Sequence, residues 1–243
     1  MIAYIGNGYY CYTDSTAMLL ASIGETIPSS KIEVLTGVGL GAFWIEEETL
    51  LELCSLSTAP DRGISKALEI LGFEYTERSS QAAGPAPFDQ LRADLAKSPV
   101  ALGPIDMGYL SYNPNCGNLA GVDHYVLAYR MDEQKIHLHD PVGFPHVSLS
   151  LDQLELAWKA ERIDYRRGHY RCWTSPKRIQ HPTEEEIYNQ AVQYFTSCYQ
   201  FKFDTPPLSE WLRGREAIFA CANCIRNEKL SQKSKGFLIH ITD

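Results

Sequence analysis

No block of lysine and arginine occurs in this chain of 243 residues, which carries 30 acidic against 22 basic side chains and a formal charge of -8. Phosphate neutralisation needs grouped cations, so nucleic acid is not expected as a partner. No apolar run approaches the length of a membrane-spanning helix, and a membrane is not expected as a partner either. Residues 1–10 have neither a basic region nor a long apolar stretch, so no signal peptide or anchor is expected there. Internal repeats are lacking. The cysteines number seven, an odd count with irregular spacing. That usage argues against a disulfide framework and fits reduced thiols in a cytoplasmic protein. What remains, 44% hydrophobic and 21% charged, is ordinary globular material long enough to bury a good core.

A dinucleotide loop is missing as well. Gly37, Gly39 and Gly41 alternate with apolar residues but lack the G-x-G-x-x-G spacing, and the polar stretch from Glu25 to Lys31 is not a buried parallel strand. Such glycines point to backbone held close to a neighbouring element or to a ligand, which makes Gly39 and Gly41 candidate substrate-binding positions. Cys221 and Cys224 form a C-x-x-C as text, yet Trp211, Ile218, Cys221, Ala222 and Ile225 recur at helical spacing. A buried seam is expected there, because structural zinc wants four ligands and no second pair is near. His137 and His139 also lack a third ligand, so neither metal nor cofactor is expected.

What is present organises itself around Cys11. Thr13, Asp14 and Ser15 are good caps for a helix start, the apolar face is Ala17, Leu20 and Ala21, and Gly24 supplies the stop. A cysteine at a helix mouth has its thiolate favoured by unpaired backbone N–H groups and the macrodipole, so Cys11 is a candidate nucleophile. The plain alternative is a small buried hydrophobe.

Downstream, helix is compatible with Glu46 to Leu56 and clearer from Ile64 to Leu71, followed by a short strand from Phe73 to Thr76. Ser79 to Pro87 is a loop, a helix with Phe88, Leu91 and Leu95 inward comes next, and Val100 to Ile105 is a strand. Met107 to Asn118 is a turn-rich loop whose Tyr109 and Tyr112, like Tyr4 and Tyr9 earlier, are candidates to line a substrate pocket. Val122 to Arg130 and Lys135 to Asp140 make a hairpin. Ser150 with Gln153, and Thr183 with Glu186, are capping boxes that open two helices, with a strand from Tyr170 to Thr174 between them. Ser175 to Pro182 reads as a boundary, giving a domain over 1–178 and a helical extension over 179–243, its last helix running from Ser209 to about Asn227.

A thiol nucleophile needs a base, and the base an orienting group. His124 and Asp140 qualify. A three-residue hairpin loop sets Arg130 across from Gln134 and His124 across from Asp140, close enough for a carboxylate to hold an imidazole. A two-residue loop at Asp132 and Glu133 pairs Asp140 with Tyr125 and separates the couple. Asp123 points to the opposite face from His124 and is the poorer orienter.

The order Cys11, His124, Asp140, with what surrounds each, resembles the papain-like, peptidase C39-like group, and is most similar to the butirosin biosynthesis protein H N-terminal domain family. The pieces are Tyr10-Cys11 with Ala17-Met18-Leu19-Leu20, the glycine-rich Leu35 to Phe43, Pro104 to Leu110, Asp123-His124-Tyr125-Val126-Leu127, His139-Asp140-Pro141-Val142-Gly143 and the Leu151 to Trp158 helix. The resemblance covers roughly residues 1–174. It implies an α+β papain-like fold, a cysteine helix packed on an antiparallel sheet, with Cys11 as nucleophile, His124 as general base and acid, and Asp140 as orienter. It implies acyl transfer too, to water or to an amine; the family's namesake moves an aminoacyl group from a carrier protein onto an aminoglycoside amine. One departure stands out. Papain-like enzymes usually place a glutamine upstream of the cysteine for the oxyanion, and none precedes Cys11. Asn7, between Gly6 and Gly8, is the candidate donor in its place, with the Cys11 N–H as the second.

The expected activity is therefore a cysteine-dependent acyltransferase or amide or thioester hydrolase, peptidase-like in form. Its substrate is a small acyl or peptide group, free or carrier-bound, and the C-terminal helices cover the cleft or join copies into a homo-oligomer. The alternative from another class is a papain-like shell without chemistry, serving as a binding or scaffold protein.

Overall fold

A computed structural model describes residues 2–8, 10–202, 210–232, 234 and 235. In chain order the elements are α1 (Cys11–Ala21), α2 (Ser29–Thr36), β1 (Phe43–Ile45), β2 (Leu50–Glu52), α3 (Pro60–Ile70), β3 (Phe73–Ser80), α4 (Phe88–Leu95), β4 (Val100–Asp106), β5 (Asp123–Met131), β6 (Lys135–Asp140), β7 (Phe144–Ser150), α5 (Leu151–Lys159), β8 (His169–Arg178), α6 (Glu184–Gln200), β9 (Leu212–Arg213) and α7 (Arg215–Arg226). The fold class is α+β, with every described strand pairing antiparallel. Among the described residues no helix is long and apolar enough to cross a membrane.

Two compact units divide the chain, one of residues 2–36 and 60–187, the other of 37–59 and 188 onward. The division differs from the boundary expected at 178 and 179. The stretch expected as helix, Glu46 to Leu56, is instead the hairpin of β1 and β2, turned at Thr49 with φ 49°. Its apolar flanks explain the change: Trp44 and Leu51 pack with Ala217 and Cys221 of α7, and β1 also pairs with β9. A local periodicity gives no sign of partners more than 150 positions away.

In the first unit six strands lie in the order β3-β8-β4-β5-β6-β7. Strand alternation sends β5 side chains to two cores. Val126 and Ala128 join Leu102, Leu138 and the α5 residues Leu154, Ala157 and Trp158. Tyr125, which alternates to the other face, meets Tyr12 of α1 edge-on at 5.9 Å and Trp173 of β8 at 6.3 Å. The two expected capping boxes are present: Ser150 Oγ accepts from the Gln153 N–H, and Thr183 Oγ1 accepts from the Glu186 N–H while Glu186 accepts from the Thr183 N–H. Helix α2 and strand β7 had no signal in the sequence reading, and β3 runs to Ser80, into the stretch expected as loop.

Helix α1 starts earlier than its cap residues suggested. Tyr10 is the N-cap, in extended conformation and without a side-chain cap, so Cys11 is the first helical residue. Thr13, Asp14 and Ser15 lie inside the first turns, buried; Thr13 Oγ1 turns back to the Tyr10 carbonyl and Asp14 accepts from the Gly8 N–H at 3.3 Å. Burial runs unbroken from Tyr12 to Leu20, so the helix is enclosed all round and the expected one-sided face of Ala17, Leu20 and Ala21 is too narrow, with Ala21 only half-buried. A helix buried on every side gives Cys11 a fixed frame.

Candidate active site

Enclosure of α1 sets the first requirement of the site. Cys11 is half-exposed at the helix mouth, where the first backbone N–H groups of any helix have no intrahelical acceptor. Backbone amides and the positive helix end therefore face the same space as the thiol.

His124, the second residue of β5, is 2% exposed, and Asp140, the last of β6, is fully buried. The imidazole Nε2 lies 2.7 Å from Asp140 Oδ1. Both registers weighed from the sequence are nevertheless wrong. Leu127 faces His139 and Ala128 faces Leu138, and a bulge before the Arg130 and His137 pair shifts the ladder by one. Continued outward, that ladder sets Asp140 across from Val126, and His124 reaches the carboxylate along the diagonal. Diagonal neighbours on one sheet face stand about 7–8 Å apart, a gap an imidazole can span.

With Nε2 committed to Asp140, Nδ1 is the ring nitrogen left for Cys11, which acts on His124 through charge and a side-chain hydrogen bond. Burial alone pulls the His124 pKa down. The Cys11 charge, the hydrogen bonds to Asp140 and Cys11, and the Asp140 charge outweigh it and raise the value to about 10. Burial pushes the Asp140 carboxyl up, but the His124 hydrogen bond and charge, the Val142 N–H and the Tyr112 hydroxyl hold it below the usual carboxylate range. The arrangement favours a charged imidazole beside the Asp140 carboxylate.

Asp140 is gripped on every side. Val142 N–H donates to Oδ1 at 2.9 Å and the Tyr112 hydroxyl donates to Oδ2 at 2.8 Å. The Tyr4 hydroxyl lies 3.0 Å from the Asp140 carbonyl and accepts from the Gly143 N–H at 3.0 Å, while the Asn7 N–H donates to the Pro141 carbonyl at 2.7 Å. Residues 4–7 thus strap the turn that carries the aspartate. Nothing in the sequence announces the Tyr4 contact, which spans 136 positions.

The other candidates separate. Asn7 is exposed and left-handed, φ 63°, beside Gly143. Tyr109 is not joined to Asp140; its ring lies under the Arg162 guanidinium at 4.7 Å, and Arg162 pairs with Asp106. Gly39 and Gly41 belong to the second unit. Gly39 is exposed in a turn, and a Cβ on Gly41 would stand 2.5 Å from the Cys54 carbonyl, so a neighbouring element accounts for that glycine. Gly41 also borders a cavity of about 50 Å³ with Cys54 and Cys198. Asp123 receives the Tyr165 hydroxyl at 2.7 Å and takes no part in orienting His124.

His137 sits with Arg130 and Asp132 at the hairpin end, whereas His139 is buried against Tyr129 and His146. Among the described residues no group of three or more histidine, cysteine, aspartate or glutamate side chains is arranged to hold a metal ion. On α7 the buried face is Ala217 and Cys221, with Ile218 and Ile225 about half exposed, so the seam expected through those isoleucines is turned away from them. The residues Tyr9 and Ser209 lie outside the described residues.

Compared with known proteins, the chain is 47% identical over 231 residues to YobF, an uncharacterized protein of Bacillus subtilis (strain 168), a match covering 95% of this chain and 73% of that protein. No family model matches the chain. At that identity and coverage the chain belongs to the same family as YobF.

Proposed function

We propose that this member of the YobF family is a cysteine-dependent acyl-transfer enzyme of papain-like, peptidase C39-like architecture, in which Cys11, His124 and Asp140 act as nucleophile, general acid and base, and orienter. The observation that carries the reading is the convergence of the three on one buried imidazole, with Nε2 on Asp140 and Cys11 acting on the same ring. Residues this far apart in the chain gain nothing structural from burying a charged histidine that a leucine would not supply more cheaply.

The chemistry follows from the ordering. In this mechanism Cys11 reacts as the thiolate of a thiolate and imidazolium pair, with the proton resting on His124. Attack of Cys11 Sγ on an acyl carbonyl forms the C–S bond, and the developing oxyanion meets the backbone N–H of Cys11. His124 passes its proton to the leaving amine or thiol as that bond breaks. The neutral imidazole then takes a proton from water or an acceptor amine, which attacks the thioester and frees Cys11. The substrate is a small acyl or peptide group, free or carried on a protein thiol.

The test is intact mass spectrometry after incubation with simple thioester donors. An acyl adduct that maps to Cys11 and disappears when an amine is added supports the reading. Absence of any adduct, together with alkylation of Cys11 no faster than that of a free cysteine, sinks it.

A further inference from the structure

We infer that Tyr112 is a positioning residue of this site, its hydroxyl occupying the one Asp140 oxygen that His124 leaves open and so fixing the carboxylate that orients the imidazole. The inference rests on the proposed reading of Cys11 and His124 and adds a fourth side chain to it.

Asp140 is fully buried, so each of its oxygens requires donors from the protein. Oδ1 has two, the His124 ring and the Val142 N–H. Oδ2 has the Tyr112 hydroxyl. With both oxygens held, the carboxylate cannot rotate without breaking a charge-assisted hydrogen bond at one end or the other.

Tyr112 is itself held from several directions. It follows Leu110, which is fully buried in the α5-side core, and precedes the buried Asn113, whose Oδ1 accepts from the Asn115 N–H. The loop between β4 and β5 is tied at its base by Asp106, which accepts from the Gly108 and Gly121 N–H groups at 2.9 and 3.0 Å and from Arg162 Nε. The Tyr112 ring lies against Phe144 at 5.7 Å. A tyrosine whose role was to touch substrate would turn its hydroxyl outward; this one directs it onto a buried carboxylate.

Removing the hydroxyl while keeping the ring leaves Oδ2 without a donor in a dry site. The carboxylate then ionises less readily, the imidazolium loses part of its countercharge, and the thiolate loses part of its own. The consequence can be read without knowing the substrate, in the rate at which iodoacetamide alkylates Cys11 as a function of pH, with the adduct located by peptide mass mapping. In Tyr112→Phe the inflection of that profile is expected to move to higher pH by up to about one unit, a part of the ~1–2 units that a lost hydrogen bond to a charged group implies at that group itself. Asp140→Asn should move it the same way and further. A purely structural tyrosine would lower the unfolding temperature and leave the inflection in place.

Three other outcomes are decisive. If Tyr112→Phe overlays the wild type while Asp140→Asn is displaced, the inference fails and the reading of the site stands. If neither variant moves a profile that already resembles a free thiol, the reading fails and takes the inference with it. Should Tyr112→Phe not fold, proton NMR of the wild type decides: a slowly exchanging Tyr112 hydroxyl proton that is lost in Asp140→Asn upholds the inference, and a freely exchanging one overturns it.

Discussion

His124 and Asp140 meet at 2.7 Å across a diagonal of the β5 and β6 ladder, with Val126 standing where a squarely opposed partner of Asp140 would be. Nε2 serves the carboxylate, which leaves Nδ1 as the ring nitrogen open to Cys11. Replacing His124 by alanine is expected to slow acylation of Cys11 by about 10²–10⁴, the usual contribution of a positioned general acid and base. Timed mass spectra with a thioester donor measure it, and an unchanged rate would remove His124 from the mechanism.

Stability should carry the same signature. The folded His124 pKa of about 10 stands above the unfolded value of about 6.5, so its contribution is whole below pH 6.5 and is lost as pH rises through 10. Asp140 has the opposite sign: its lowered pKa stabilises the fold above about pH 4 and is lost as pH falls through the folded value. Thermal unfolding of the wild type is expected to decline from pH 7 to 10 more steeply than that of His124→Gln. Parallel profiles over that range would contradict the charge assignment.

Tyr4→Phe removes the hydroxyl that joins the Asp140 carbonyl to the Gly143 N–H while leaving the ring against His139. A cost of about 1 kcal/mol is expected, since these groups are only part-buried. Amide hydrogen exchange at Val142 and Gly143 should rise out of proportion to that loss. If exchange rises only as global stability falls, the strap does not hold the turn.

Two substitutions separate the units. Leu19→Ala on the fully enclosed α1 is expected to cost about 2–5 kcal/mol, as cavity formation in a core does. Gly41→Ala forces a methyl group against the Cys54 carbonyl and should cost about 1–3 kcal/mol, where Gly39→Ala in its exposed turn should be near neutral. Denaturant unfolding of the three variants tests both, and an innocuous Gly41→Ala would return that glycine to the list of ligand contacts.

Much of this was legible one element at a time. The capping boxes at Ser150 and Thr183 mark true helix starts because a cap is satisfied within four residues. The strands around His124 and Asp140 show in their β-branched and aromatic runs, and so does the pairing of the two side chains. Its geometry does not, because the bulge before Arg130 is a ladder property with no residue signature. Helix α1 misled for a related reason: Thr13 and Ser15 look like caps but are buried polar side chains of an enclosed helix. Glu46 to Leu56 misled most, since three-residue strands flanking Glu46, Glu47 and Glu48 acquire their identity only from β9 and α7. The turn-rich surroundings of Tyr112 suggest pocket lining and give no hint that its hydroxyl is donated to Asp140.

The strap formed by residues 4–7 has a practical side. A break or a bulky graft within residues 4–7 would release the loop behind the His124 imidazole. Material altered in that segment is expected to keep its helices and sheet by every bulk measure while the His124 and Asp140 couple loses its footing.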